Sequence, residues 1–453
     1  MSETTVPSQA VRGADYLLEE NHDLPLCRVQ LTLRTGAETD VVGDGGPAEH
    51  PASGGRGIIG QCNFATELWR RGAGGRTRAQ LDEEVDRLGA TLQVLSWHDQ
   101  VVFEVAALTE KIDAACGLLA DVLLRPEFPL DEAERLRREL HASLDDMRDD
   151  DASLMHRFFS RALYGDHPYG RPVGGTAESI DELSVPAAQA WHRHYMTRGN
   201  LVLGAAGDLT TDQLETLLSR HFAGLPSGPR RDEPLPKAPK LRGIRVLIVD
   251  KPERTQSQIL IGHLAPAWRD PNYLPLYVAT TAFGGTFTAR LMDEVRSKRG
   301  LSYGASARVG SGRGVRAFAI NVFPSAEQTA ETIELILRLI TEWAQDGLRP
   351  GELEFAQSFL QKNHAFSIQT PEDRLGLRTR LHVCDMPLDH VTTFPARVAA
   401  VTPEQARQAL AQHIHPQDLL ITLVATAKTV LPSLQAVPAL RDAQFEVVPY
   451  DSY

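Results

Sequence analysis

Arg296 and Tyr303 offer the chain's clearest chemical pairing, a permanently charged guanidinium and a neutral phenol donor. Both stand in the stretch Thr288 to Gly304, TARLMDEVRSKRGLSYG. Leu291 and Val295 fall on one helical face while Asp293, Glu294, Arg296 and Lys298 stay polar, so the stretch opens as a short amphipathic helix. Gly300 follows Arg299, where a helix ending in a left-handed residue takes glycine. Leu301-Ser302-Tyr303-Gly304 then starts a strand. Arg296 near the helix end and Tyr303 on the strand start can converge on one surface, where they would suit a peptide carbonyl or a developing oxyanion. The plainer alternative is a surface ion pair for Arg296 and sheet packing for Tyr303.

Other spacings compete for attention. Gly300-Leu301-Ser302-Tyr303-Gly304 satisfies G-x-S-x-G, but a nucleophile elbow needs a strand before the serine and a helix after it, the reverse of the order here. Gly310-Ser311-Gly312-Arg313-Gly314 superficially suggests a phosphate loop; lying between two strand patterns, it reads as a hairpin turn. His192-x-His194 and His413-x-His415 have metal-like spacing on paper, yet residues two apart on a helix point to different sides, so both pairs read as solvated faces. His98-Asp99 reads as a turn.

Composition narrows the class. A chain of 453 residues exceeds one ordinary core and implies at least two domains. With 42% hydrophobic and 23% charged residues it has the make-up of a soluble globular protein, and a net charge of -12 argues against nucleic acid as the main partner. No apolar run is long enough for a membrane span, and the N-terminal residues show no secretory signal. Cys27, Cys62, Cys116 and Cys384 lack paired spacing, which points to a reducing cytoplasm.

The elements that must position these side chains come in two matching series. In the first, LCRVQLTLR (26–34) alternates as a half-buried strand, a helix runs from about Ile58 to Arg71, and Thr77 with Gln80 opens another as a capping box. ATLQVLSW and VVFEVAAL form a hairpin, Thr109 caps a helix to about Leu124, Leu130 to Met147 form a further helix, and NLVLGAAGD (200–208) is a strand. Prolines 226, 229, 234, 236 and 239 then mark a stiff linker. Afterwards the pattern restarts: RVLIVD answers ADYLLEE, SQILIGHL answers LCRVQLTL, Leu291-x-x-Glu294-Val295 repeats Leu81-x-x-Glu84-Val85, and DLLITLVAT matches NLVLGAAGD. Ser325 with Gln328 opens the helix after the second hairpin. The sequence therefore predicts an α+β fold of two homologous domains, each an antiparallel-rich sheet packed with helices. The expected division is 1–225, a linker at 226–241, and 242–453.

In architecture and motif, residues 12 to about 440 resemble the pitrilysin/insulinase-like metallopeptidases, a family that includes the mitochondrial processing peptidase and paired bacterial enzymes. The resemblance implies two domains facing each other across a cavity. In active members a helix of the first domain carries H-x-x-E-H; its histidines and a later glutamate bind zinc, and the motif glutamate activates water. Here that helix ends in Leu68-Trp69-Arg70-Arg71-Gly72, and the motif positions hold Asn63, Thr66 and Glu67. Asparagine is a poor zinc ligand, threonine cannot act as the base, and Glu67 alone cannot hold a metal, so Glu67 reads as a solvated helix residue. The distal ligand position falls near Ser143. No H-x-x-E-H or H-E-x-x-H occurs in the chain. Arg296-x-x-x-Gly300-Leu301-x-Tyr303 is, by contrast, similar to the family's arginine/tyrosine pair, which reaches the substrate backbone beside the zinc.

The resemblance thus implies a division of labour. The chain would be a non-catalytic subunit without metal or cofactor of its own, paired with a homologous H-x-x-E-H subunit that carries zinc. Arg296 and Tyr303 would support that partner's reaction on a peptide or precursor peptide. The alternative is an inactive peptide-binding or scaffold protein of the same fold.

Overall fold

The computed structural model describes residues 6–40, 58–231 and 234–452. Its strands, in chain order, are β1 (Val6–Pro7), β2 (Asp15–Glu20), β3 (Leu26–Leu33), the short ribbon β4 (Gly72–Ala73) and β5 (Arg76–Thr77), β6 (Thr91–Ser96), β7 (Val101–Leu108), β8 (Leu201–Gly207), β9 (Arg245–Asp250), β10 (Gln258–Ala265), β11 (Ser302–Val309), β12 (Arg316–Pro324), β13 (Leu420–Ala425) and β14 (Gln444–Pro449). They form two six-stranded mixed sheets, ordered β1-β2-β8-β3-β7-β6 and β11-β12-β10-β13-β9-β14. Reversing the first order superimposes it strand for strand on the second. Only the sixth strand differs in origin: β1 comes from near the N-terminus and runs antiparallel to β2, whereas β14 comes from near the C-terminus and runs parallel to β9. The predicted α+β duplication is thus what the chain builds, with antiparallel pairs dominating both sheets.

The chain packs into two compact units that do not coincide with the two halves of the sequence. One unit comprises 1–144, 171–235 and 366–392; the other comprises 145–170, 236–365 and 393–453. Each half of the sequence gives a helix to the unit formed mainly by the other. In the first unit, β2, β3 and β8 send alternate residues to opposite faces. Tyr16, Val29, Leu31, Leu201 and Leu203 enter the main core with helices Gln61–Trp69, Ile112–Leu124 and Val185–Tyr195. Leu17, Val202 and Ala206 pack instead against Leu375 and Val383 of helix Pro371–Val383. This covering helix corrects the expectation of a half-buried β3. The polar face of that strand is enclosed: the Gln30 amide donates to Thr379 Oγ1 at 2.7 Å, and Arg34 bonds His382. Beside them buried Glu19 takes Arg378 at 2.6 Å and Arg374 at 3.0 Å. Such charges tolerate burial only when paired.

In the second unit the reciprocal helix, Asp151–Tyr164, packs on β10 and β13. Lys251 Nζ, at the end of β9, fastens its start by donating to Asp151 Oδ1 and to Arg148 O, each at 2.6 Å. The segment after it clasps the β11–β12 hairpin: Tyr169 Oη accepts from Gly314 N at 3.2 Å, and its ring lies 3.7 Å from the Arg316 guanidinium carbon. The proline-rich segment 226–241 contains no helix or strand among its described residues. The Thr77–Gln80 capping box forms as predicted. Thr109 does not cap: its hydroxyl donates to Asp208 at 2.7 Å, and a 3-10 turn precedes helix Ile112–Leu124. Among the described residues no helix is long and apolar enough to cross a membrane.

Candidate functional site

In the second unit, Arg290–Met292 makes a single α-helical turn that widens at once into a π-turn over Asp293–Ser297. Leu291 and Val295 are fully buried and fix the inner face. The wide turn is closed by Lys298 N donating to Asp293 O and by Leu301 N donating to Val295 O, both at 2.9 Å. Gly300 adopts φ +63°, the left-handed residue that its position predicted, and lets the chain reverse into β11. Turns of this width are uncommon and concentrate where side chains must be aimed.

The first residues of β11 are equally specific. Its pairing with β12 skips between Ser302 and Ala305, a bulge that leaves Tyr303 and Gly304 out of register. Ser302 holds the bulge, donating to Gly304 O at 2.8 Å and accepting from Phe323 N at 3.2 Å. A Cβ on Gly304 would meet the tip of the Phe323 ring at 3.0 Å, so any other residue here would have to push that ring aside. Tyr303 is consequently turned outward and is 79% exposed.

The structure brings the two sequence-predicted residues together. The Arg296 guanidinium carbon lies 4.6 Å from the centroid of the Tyr303 ring. It lies equally 4.6 Å from the ring of Phe287, which is 66% exposed and was not picked out from the sequence. Each such contact contributes about 0.5–1 kcal/mol at an exposed site. The surrounding cations are already engaged. Glu294 takes Lys298 at 2.8 Å and also Arg299, and Arg290 pairs with Glu352. Lys298 and Arg299 hold the Glu294 carboxyl down at about 2, against its burial. Arg296 has no ion pair or side-chain hydrogen bond among the described residues. Its N–H donors are therefore available to an incoming oxygen, beside a phenol that can give a second hydrogen bond.

In the first unit, helix Gln61–Trp69 carries Asn63, Thr66 and Glu67, the residues expected at the H-x-x-E-H positions. Gly60, with φ +91°, cannot cap it with a side chain; the Asp40 carboxylate does so instead, accepting from Gly60 N at 2.8 Å and Cys62 N at 2.9 Å. Burial pushes Asp40 up to about 7 despite those donors and nearby Arg171. The buried Thr66 hydroxyl donates to Cys62 O and contacts Ser96 Oγ, both at 2.9 Å, so it serves the helix and β6. Asn63 is half-buried. Glu67, expected in solvent, is half-buried as well; burial raises its pKa, while Arg70, Arg71 and Arg78 lower it and Glu139 raises it further. Arg71 reaches Glu139 at 2.6 Å and Glu132 at 3.4 Å, and Arg78 reaches the same two carboxylates. Arg71 above all draws Glu139 down to about 2. Ser143 is exposed.

This donor set does not fit zinc. An amide, an engaged hydroxyl and one half-buried carboxylate, with nearby Glu132 and Glu139 held by guanidinium groups, replace the imidazoles and free glutamate that the ion needs. Among the described residues no group of three or more His, Cys, Asp or Glu is placed to hold a metal.

The histidine pairs are packed rather than solvated, which corrects their reading as surface faces. His192 Nε2 contacts Leu123 O at 2.7 Å, its ring stands edge-on to Trp69, and burial lowers its pKa. His413 Nε2 is buried, and His415 N donates to His263 Nε2 at 3.2 Å. His98 occupies the β6–β7 turn, with its ring against Arg171 O. Gly310–Gly314 lies in the β11–β12 turn, and Ser302 opens a strand rather than a helix, so neither is a phosphate loop or a nucleophile elbow.

Comparison with known proteins places the chain in a family. Residues 58–177 match the family described as Insulinase (Peptidase family M16), and residues 182–360 match the Peptidase M16 inactive domain. The chain belongs to the M16 peptidase family. It is 26% identical over 306 residues to an uncharacterised zinc protease of Mycobacterium leprae, covering 67% of this chain and 68% of that protein. It is 23% identical over 419 residues to a non-peptidase homologue of Helicobacter pylori, covering 91% and 92%. The peptidase M16 inactive domain of Pseudomonas fluorescens has the same fold, with a TM-score of 0.81, 24% identity and coverage of 93% and 97%. A periplasmic protease of Escherichia coli, at 13% identity and a TM-score of 0.77, covers 98% of this chain, which spans 51% of that one.

Proposed function

We propose that this chain is a non-catalytic, substrate-binding subunit of a two-chain zinc peptidase. Its partner is a homologous chain with H-x-x-E-H intact, and Arg296 and Tyr303 act at the partner's zinc. The observation that carries the reading is an asymmetry. Helix Gln61–Trp69 lacks a zinc donor set, whereas half-buried Arg296 stands beside exposed Tyr303 with its charge unneutralised among the described residues. A guanidinium kept free of carboxylates is suited to charge that develops during peptide-bond attack. The substrate is a peptide or an unfolded segment of a precursor. Such chains commonly bind by adding a strand to a sheet edge, and β6 and β11 are both edge strands here. The partner, rather than this chain, supplies zinc.

The test is reconstitution. The chain purified alone shows no chelator-sensitive peptidase activity; mixed with an H-x-x-E-H chain of the same family and source, it restores cleavage. Arg296→Ala and Tyr303→Phe each lower kcat by about 10²–10³, the usual effect of deleting an oxyanion donor, while the two chains still co-elute. Chelator-sensitive cleavage by the single chain refutes the proposal. Co-purification with an unrelated assembly would favour the inactive-scaffold alternative; the Helicobacter pylori relative is itself named a non-peptidase homologue.

A further inference from the structure

Phe287 has no role in the core: it lies between Thr286 and Thr288 in the turn before Arg290, two-thirds exposed. A large aromatic ring left in solvent beside a cation calls for an explanation other than burial. Arg296 supplies one. A long arginine side chain has many rotamers, and a site that uses its charge must hold it still. A carboxylate would hold it but would also occupy its N–H groups and cancel its charge. Ring faces hold a guanidinium and leave every N–H donor free, because they carry no acceptor that competes in its plane. The local electrostatics obey that logic. Glu294 lies two residues from Arg296, yet it is committed to Lys298 and Arg299. Arg296 is left to two rings at the same distance, Phe287 and Tyr303.

We propose that Phe287 is a positioning residue for Arg296. Phe287 and Tyr303 together hold the guanidinium so that its N–H groups meet one planar oxygen acceptor of a peptide, a backbone carbonyl or a carboxylate. This role rests on the proposed function of Arg296 and Tyr303 and adds a third residue to it.

The experiment uses the full chain alone, with arginine labelled in ¹⁵N and the Arg296 Nε–Hε signal assigned by its loss in Arg296→Lys. In the native chain this group has a high order parameter. In Phe287→Ala it falls below about 0.6, the range of flexible groups. Phe287→Leu, which keeps bulk but removes the ring, falls likewise, and Phe287→Tyr restores order. Thermal midpoints stay unchanged across the series, because the ring is at the surface. In the reconstituted two-chain enzyme, Phe287→Ala lowers kcat roughly fivefold with KM little changed, a smaller loss than that of Arg296→Ala. An Arg296 equally ordered in all variants overturns the proposal. If Arg296→Ala leaves turnover untouched while the order parameters respond as described, the proposed function fails and the positioning role stands. If Arg296→Ala lowers turnover while Phe287→Ala alters neither order nor rate, the reverse holds.

Discussion

Gly300 sets the direction in which Arg296 and Tyr303 meet. At φ +63° an L side chain is strained, yet a Cβ there would meet nothing within 4 Å. Gly300→Ala therefore isolates backbone strain from crowding and should destabilise the chain by about 1 kcal/mol, measured by urea unfolding. A larger loss would mean that the turn itself collapses. At this scale the sequence was most readable where one residue type has one physical use. Glycine after a short amphipathic helix announced the left-handed cap, and Thr77 with Gln80 announced a capping box. Phe287 escaped notice because a lone aromatic in a loop has no periodicity; its company, Arg296 and Tyr303, is visible only in three dimensions. The arginines that take up Glu132 and Glu139 escaped for the same reason, since Arg71, in the turn after helix Gln61–Trp69, lies far along the chain from Glu139.

Within the π-turn over Asp293–Ser297, Glu294 ties Lys298 and Arg299 together. The Glu294 carboxyl, ordinarily near 4.5, is held at about 2 in the fold. A lowered acid stabilises the native state above its unfolded value and loses that contribution as pH falls toward the folded one. Stability should therefore decline between about pH 4.5 and pH 2, with this residue supplying on the order of 2 kcal/mol. Glu294→Gln should flatten that part of a denaturation profile, and an unchanged profile would show that Lys298 and Arg299 do not engage it in solution. Strands proved easier to read than the faces they present. The alternation in LCRVQLTLR located β3 correctly, but polar residues at every second position suggested solvent where Gln30 in fact meets Thr379. Period-two patterning reports that two faces differ, not that one of them is wet. The sixth strands were missed because Val6–Pro7 is too short to carry a pattern and Gln444–Pro449 lies mostly exposed at an edge.

For the molecule as a whole, the exchanged helices govern how it can be divided. A fragment of residues 1–235 lacks helix Pro371–Val383, and so leaves Leu17, Val202 and Glu19 uncovered; 236–453 lacks Asp151–Tyr164 over β10 and β13. Neither fragment should fold to a stable, soluble state alone, whereas co-expression should recover a complex with native circular dichroism and cooperative melting. Independent folding of either fragment would refute that mutual dependence. The duplication was legible from repeated strand and helix signatures, since local patterns survive in each copy. The exchange was not, because an amphipathic helix such as Pro371–Val383 declares that it has an apolar face without naming the sheet that covers it.

That reciprocity is the arrangement a symmetric dimer of single copies would adopt. A single-copy ancestor would have carried a helix displaced from its own sheet and a sheet in want of a helix, and two identical protomers trading that helix would have satisfied both. Fusion of the genes would then have fixed as covalent what began as a symmetric dimer. Once joined, each copy would have been free to change alone.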